Sequence, residues 1–264
     1  MLLALLVWVF TVAIVWMFAG GSMWFPPPIN AHGKIYDLQF MNTLMVTGVI
    51  FVLAQVALGW VILRFRDKGG RAVYSEGNNK LEVLWTSAAA ILFIGGVLMS
   101  TSIWANVHLS QVPANALQIE CLGKQFAFSF RYPGVDGKFG KLDVKQINDA
   151  SANSFGVDEK DPVGKDDIQA SQLRIPVGVP VRLLLRSRDV IHNFFVRELR
   201  QKQDLVPGME IPIHFVADKI GSYEIPCSEL CGLGHHQMHS TLVVLSQADY
   251  DKWLKEEDQK LKGQ

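Results

Sequence analysis

The segment CSELCGLGHHQM, residues 227–238, contains two cysteines, two adjacent histidines and a methionine within twelve residues. Thiolate, imidazole and a weakly bound thioether together are the ligands that copper prefers in electron-transfer sites. Structural zinc sites rarely use a thioether, so Met238 argues against zinc. The spacing of Cys227, Cys231, His235 and Met238 therefore favours copper, with a disulfide between the two cysteines as the alternative in an oxidising compartment.

The second cysteine favours a site with two metal ions, because one thiolate is enough for a mononuclear blue-copper centre. Two bridging thiolates give two coppers two sulfur ligands each, and each copper then needs one imidazole and one weak axial ligand. His235 and Met238 supply one of each. His192 in RDVIHNFF is a candidate for the second imidazole, and a backbone carbonyl between residues 227 and 231 could be the second axial ligand. Two histidines of the same turn also stay open as ligands: His236 and His239.

The composition points to a membrane protein without a nucleic-acid partner. The chain has 264 residues, 49% of them hydrophobic, and three apolar blocks lie before residue 105. The formal net charge is zero, so there is no electrostatic support for binding nucleic acid. Three cysteines form no disulfide framework, and Cys121, which stands alone, is expected to be a small buried apolar residue.

The apolar blocks at 2–18, 41–63 and 83–104 are long enough to cross a hydrocarbon core of about 30 Å. The second and third blocks predict a transmembrane helical hairpin over residues 38–107. No basic residue precedes the first block, which argues against a cleaved signal peptide. We therefore predict a further transmembrane helix, or an uncleaved signal anchor, over residues 1–28.

The loop at 64–80 sets the expected orientation in the membrane. It carries five of the six basic residues that precede position 105. The positive-inside rule places this loop in the cytoplasm and everything after the third helix on the opposite side. We expect a multi-pass protein of a bacterial inner membrane with its C-terminal part in the periplasm.

Residues 108–264 have the pattern of a β domain. Short runs rich in Val, Ile, Leu and Phe alternate with turn signals, which is typical of an antiparallel sandwich or barrel. The polar stretch at 133–172, rich in Gly and Asp, predicts a long insertion loop. The tail that starts at residue 247 predicts a short amphipathic surface helix.

Over about residues 38–264 the chain resembles subunit II of the haem–copper cytochrome c oxidases. The cysteine cluster matches the dinuclear copper (CuA) motif of that family, Cys-x-Glu-x-Cys-x3-His-x2-Met, position by position. Three more segments match in order: DVIH at 189–192, KQDLVPG at 202–208 and LEVLWT at 81–86. The proline that usually follows WT in the family is absent.

The resemblance implies a membrane-anchored, cupredoxin-like Greek-key β-barrel that binds two coppers. The ligands it implies are Cys227, Cys231, His192, His235, Met238 and the backbone carbonyl of Glu229. It also implies that the Glu229 carboxylate helps to bind a magnesium ion at the boundary with subunit I. The chain has no Cys-x-x-Cys-His motif, so we expect no haem in it.

The function implied by the resemblance is electron transfer in a terminal oxidase. A cytochrome c-type donor would reduce the copper pair, which would pass electrons to haem in subunit I for oxygen reduction coupled to proton translocation. The alternatives are a quinol-oxidase-type subunit, which lacks the copper ligands, and a membrane-tethered copper carrier. Residues 105–264 carry 19 basic and 21 acidic residues, a net charge of −2, so we expect a donor held nearby rather than a strongly steered one. A membrane-anchored cytochrome or an associated respiratory complex would provide such a donor.

Three further residues are candidates through the resemblance. Phe126 and Phe128 stand where the family usually has the tryptophans of Gln-Trp-x-Trp, and the first of these is where electrons enter. Alternation along the strand would equally place both phenylalanines in the core. Glu82, in LEVLWT, is expected at the mouth of a proton path into subunit I, or else as an interfacial carboxylate facing water.

Overall fold

The computed structural model of the protein describes residues 1–21, 25–71, 74, 76–158 and 160–263. The chain forms two compact units. One consists of Met1–Phe25 and Ile35–Leu109, and the other of Pro26–Lys34 and Ser110–Gln264. The first is helical and the second is built mainly of β-strands.

The helical unit is built from three long apolar helices: α1 (Leu2–Ala19), α2 (Ala31–Arg64) and α3 (Asn79–His108). At 1.5 Å per residue they measure about 27, 51 and 45 Å, so each is long enough to span or nearly span a hydrocarbon core. The three predicted membrane helices are therefore present. The Asn78 side chain caps α3 by accepting hydrogen bonds from the backbone N–H groups of Lys80 and Leu81.

In the part of the second unit that the structure describes, ten strands are followed by a helix. The strands are β1 (Leu117–Lys124), β2 (Ala127–Tyr132), β3 (Ile168–Ala170), β4 (Leu173–Pro176), β5 (Pro180–Ser187), β6 (His192–Val196), β7 (Gln201–Leu205), β8 (Ile211–Val216), β9 (Gly221–Pro226) and β10 (His239–Leu245). The helix is α4 (Gln247–Lys262). The predicted β domain with a C-terminal surface helix is thus confirmed.

The strands form three sheets, in the orders β3-β2-β1-β5-β8, β4-β10-β9 and β6-β7. Most neighbours are antiparallel, as expected, but β1 pairs with β5 and β4 pairs with β10 in parallel. These parallel pairs join segments far apart in the chain. The alternation of apolar residues within each strand therefore could not predict which strands pair in parallel.

The core lies between the sheets and follows the alternation of the strands. In β5, Val181, Leu183 and Leu185 are buried while their neighbours are partly exposed. Cys121 in β1 is fully buried, and burial raises the pKa of its thiol. It is the small buried residue that the sequence predicted, and it is a free thiol.

The segment at 133–172 is mostly irregular, with three short 3-10 turns, but it also contains β3, which pairs with β2. A buried arginine anchors it to the barrel. Arg131 of β2, 1% exposed, donates to Glu120 of β1 at 2.9 Å and to Asp167 of the segment at 3.0 Å. It also donates to the backbone carbonyl of Gly140.

A second ion-pair cluster anchors the same segment at the far end of β1. The Asp149 carboxylate accepts hydrogen bonds from Arg188 at 3.0 Å and from Lys124. The hydrogen bond from Arg188, followed by that from Lys124, holds the pKa of Asp149 well below its usual range. The segment is therefore attached to the barrel at two separate places.

Candidate metal centre

The connection between β9 and β10 carries five of the six implied ligands. These strands pair antiparallel with Pro226 opposite His239, so residues 227–238 form the loop of a hairpin. The register brings the two ends of the loop together, and Cys227 N–H donates to the Met238 carbonyl at 3.0 Å. The pairing of β9 with β10 thus brings the first and last residues of the 12-residue motif next to each other.

The remaining imidazole comes from another strand. Phe194 of β6 forms a β-bridge with Cys227. His192, two residues earlier on the same strand, therefore points from the same side of β6 toward the cysteine loop. Ligand atoms of His192, Cys227 and Cys231 all lie within 4.8 Å of one another, and all three residues are buried.

The other ligand atoms surround the two sulfurs. The Sγ atoms of Cys227 and Cys231 lie 3.8 Å apart, and both thiols are free. Cys231 Sγ lies 3.6 Å from Nδ1 of His235 and 3.7 Å from Sδ of Met238. Cys227 Sγ lies 3.2 Å from the backbone oxygen of Glu229. The structure thus brings together every ligand that the resemblance implied.

The ring of His192 is oriented by a carboxylate. Its Nε2 lies 2.7 Å from Oδ1 of Asp189, while its Nδ1 is buried and makes no hydrogen bond within the described residues. A buried nitrogen without a partner is costly, and a metal ligand would satisfy it. Asp189 lies inside the matched DVIH segment but was not among the predicted site residues. The signal in the sequence that could have identified Asp189 was its place three residues before His192.

The electrostatics of the site favour ionising one thiol first. Burial raises the pKa of Cys227, but the neighbouring His192 and hydrogen bonds with backbone groups outweigh it, so the pKa is lowered. Burial, followed by the charge of Cys227, raises the pKa of Cys231. Burial lowers the pKa of His192, but Cys227 and Asp189 outweigh it and raise the pKa above its usual value.

The donor set fits a copper pair better than zinc. It combines two thiolate sulfurs, two imidazoles, a buried thioether and a carbonyl, which together suit soft copper. The competing histidines, His236 and His239, have exposed side chains. His235 is the histidine of that turn whose nitrogen faces a cysteine sulfur.

The two candidate phenylalanines have different surroundings. Phe128 lies in β2 and is 3% exposed, so it belongs to the core and offers no surface to a donor. Phe126 precedes β2 and is 39% exposed. Its ring covers the cysteine loop, since a Cβ added to Gly234 would lie 2.5 Å from its Cδ2 atom and one at Gly232 3.2 Å from its Cε1 atom.

Glu82 belongs to the helical unit. It lies in the first turn of α3 and is exposed. A carboxylate is favourable there because the first turn of a helix carries partial positive charge. Its helix position by itself is consistent with either expectation.

Comparison with known proteins agrees with these observations. Residues 117–246 match the family model described as cytochrome c oxidase subunit II, periplasmic domain. The chain is 36% identical over 240 residues to the alternative cytochrome c oxidase subunit 2 of Bradyrhizobium diazoefficiens, covering 89% of this chain and 85% of that protein. It is 28% identical over 261 residues to cytochrome c oxidase subunit 2 of Thermostichus vulcanus, covering 88% and 77%.

Among solved structures, the chain resembles the periplasmic domain of subunit II of the cytochrome oxidase of Bradyrhizobium japonicum. The identity is 28% and the TM-score 0.42, over 57% of this chain and 99% of that one. The family match and the 36% identical relative confirm the resemblance stated from the motifs. They also confirm a cupredoxin-like barrel preceded by membrane helices, as predicted. The chain belongs to the cytochrome c oxidase subunit II family, and it is therefore a membrane-anchored subunit of an oxidoreductase complex.

Proposed function

We propose that this chain is the subunit through which electrons enter a cytochrome c oxidase. When bound, a dinuclear copper centre would accept single electrons from a cytochrome c-type donor and give them up to haem in subunit I. The observation that carries the proposal is the convergence of two thiols, two imidazoles and a thioether at one end of the barrel. Oxygen reduction and proton translocation would take place in the partner subunit.

The protein residues would bind the metals in a rigid, dry site. Cys227 and Cys231 would hold the metals through their sulfurs, His192 and His235 through a ring nitrogen each, Met238 through its thioether and Glu229 through its backbone carbonyl. Both cysteines and Met238 are buried, so water has little access to the sulfur atoms. The hydrogen bonds that close the loop limit ligand movement when the charge changes. Small movement favours fast electron transfer.

Phe126 is our candidate for the place where electrons enter. It covers the cysteine loop beside Leu233, which is 99% exposed between the two glycines that contact the ring. The nearby basic residues Lys124 and Arg188 are paired with Asp149. Paired charges and an apolar surface favour short-range docking of a donor that is held nearby, such as a membrane-anchored cytochrome.

Phe126→Ala should slow electron transfer from the native donor by about tenfold, which corresponds to about 1.4 kcal/mol and is comparable to one lost aromatic contact. Transfer from copper to haem after photochemical reduction should be unchanged. Stopped-flow and flash kinetics at several salt concentrations would measure both, and weak salt dependence is expected. Ile220→Ala, which removes an exposed apolar side chain before β9, is the control. Normal donor kinetics in Phe126→Ala, or steep salt dependence, would show that electrons enter elsewhere.

The membrane position of the chain follows from its charges. The basic loop between α2 and α3 supports a cytoplasmic location for that loop and a periplasmic one for the β domain of a bacterial inner-membrane protein.

The exposed Glu229 carboxylate is available to share a magnesium ion with subunit I. Other oxidase subunits are the expected partners of the helical unit, whose apolar surface is largely exposed in the isolated chain.

Glu82→Gln should slow steady-state turnover by roughly two- to tenfold without changing copper content, if the carboxylate collects protons for subunit I. Oxygen consumption between pH 6 and 9 and metal analysis would measure these effects. The matched control is Glu76→Gln, in the loop that precedes α3. Equal turnover of Glu82→Gln and the parent protein at every pH would leave Glu82 as a surface carboxylate.

Low-temperature EPR of the copper-loaded full chain tests the proposed function directly. A seven-line hyperfine pattern from two equivalent coppers is expected, and a four-line mononuclear signal would overturn the proposal. The same sample separates the alternatives. A quinol-oxidase-type subunit would bind no copper, and a copper carrier would lose its metal quickly to a chelator, because carriers need labile, exposed sites.

A further inference from the structure

We propose that Gln125 is a positioning residue that links the cysteine loop, residues 227–238, to the segment that leads into β6. It lies in the turn between β1 and β2 and contacts both segments. Its side-chain Nε2 donates to the Cys231 carbonyl at 2.6 Å, and its backbone N–H donates to Oδ2 of Asp189 at 2.8 Å. The importance of Gln125 for electron transfer rests on the proposed function, whereas its two hydrogen bonds are present without metal.

The contact with Cys231 supports a part of the loop that lacks other support. Within the described residues, the backbone of the loop is held by the hydrogen bond from Cys227 to the Met238 carbonyl, by hydrogen bonds within 232–238 and by the β-bridge between Cys227 and Phe194. Cys231 takes part in none of them. Because a carbonyl oxygen only accepts, the amide nitrogen of Gln125 must face it. The side chain of Gln125 therefore fixes the backbone at a sulfur ligand.

The contact with Asp189 reaches His192 at the start of β6. Oδ2 of Asp189 accepts from Gln125, and Oδ1 lies 2.7 Å from Nε2 of His192. With both oxygens used, the carboxylate cannot turn freely, and Nδ1 of His192 stays directed at the cysteines. Gln125 thus links the imidazole of His192 to the backbone of Cys231 through three consecutive contacts.

The two contacts have separable effects. The backbone N–H of Gln125 is present in every variant except proline, so the Asp189 contact survives substitution. Only the side-chain contact with Cys231 is lost. Removing it should loosen residues 228–234 before any metal binds, and should leave the β1–β2 hairpin intact.

Hydrogen–deuterium exchange of the copper-free full chain in detergent tests this. Gln125→Met keeps the length of the side chain but removes its donor, and should raise exchange in peptides covering 228–234 by about tenfold. That factor corresponds to about 1.4 kcal/mol, which is within the range for one hydrogen bond. Gln125→Lys, which keeps an N–H donor at similar reach, should restore slow exchange. The control is Gln118→Met in β1, where the lost bonds are those to the nearby Ala116 carbonyl and from Arg182 of β5, both remote from residues 228–234 in the chain.

Exchange in 228–234 that stays within twofold of the parent in Gln125→Met would overturn the proposal. So would an equal rise across peptides of the β1–β2 hairpin, since that would mean general loosening. In the copper-loaded chain, Gln125→Met should keep two coppers but make their hyperfine couplings unequal in EPR. If the parent chain shows no dinuclear signal while the exchange results hold, the proposed function fails and the positioning role of Gln125 stands.

Discussion

Cys227→Ser and Cys231→Ser should each reduce cytochrome c oxidation by the assembled oxidase to near background. A serine hydroxyl is harder and far less acidic than a thiol, so it would not hold the proposed pair of coppers in place of a thiolate. The two sulfurs lie 3.8 Å apart, and each is also close to another implied ligand, so neither is peripheral. Metal analysis, EPR and oxygen consumption would measure the loss.

Two controls separate loss of the bridge from loss of the fold. Cys121→Ser makes the same chemical change in the barrel core, and should keep two coppers although an unsatisfied buried hydroxyl costs about 1–3 kcal/mol. Met238→Leu should be milder than either bridging variant because the axial bond is weak, with a shifted potential and slower turnover. If either bridging variant retains two coppers and normal turnover, the thiolates do not bridge.

Arg131→Met should lower the free energy of unfolding of the β domain by about 3 kcal/mol, which is at the lower end for a broken buried ion pair. The substitution leaves Asp167 buried without its main partner. Glu120 is less affected, because it keeps an ion pair with Arg186 at 3.0 Å. The loss should also loosen the segment at 133–172, since Arg131 joins it to β1 and β2.

Chemical denaturation of the full chain in detergent, followed by near-UV circular dichroism, would measure this effect. Arg188→Met is the matched control, because its partner Asp149 is 47% exposed and such pairs contribute about 0–1 kcal/mol. Arg131→Met combined with Asp167→Asn should recover part of the loss by removing the unpaired charge. A loss below about 1 kcal/mol for Arg131→Met alone would show that water or rearrangement satisfies the buried carboxylate.

Features that depend on neighbouring residues were predictable from the sequence. A run of about 20 apolar residues spans a membrane whatever surrounds it, so the three membrane helices could be located directly. The ligands from Cys227 to Met238 lie within one hairpin loop, so their types and spacing already indicated copper chemistry. The alternation in β5 identified its buried face for the same local reason.

Features that depend on long-range pairing were decided by the tertiary structure. The β-bridge between Phe194 and Cys227 brings His192 to the cysteines. Alternation along the strand could not show that Phe126 is exposed while Phe128 is buried. Phe126 is exposed because it precedes β2 and packs on the glycines of a loop about a hundred residues later, a contact that no local period encodes. The parallel β1–β5 pair, the buried Arg131 and the link from Gln125 to Cys231 likewise join distant segments. The sequence by itself determined which chemistry the site could perform, whereas the packing of distant strands decided which residues hold that site in place.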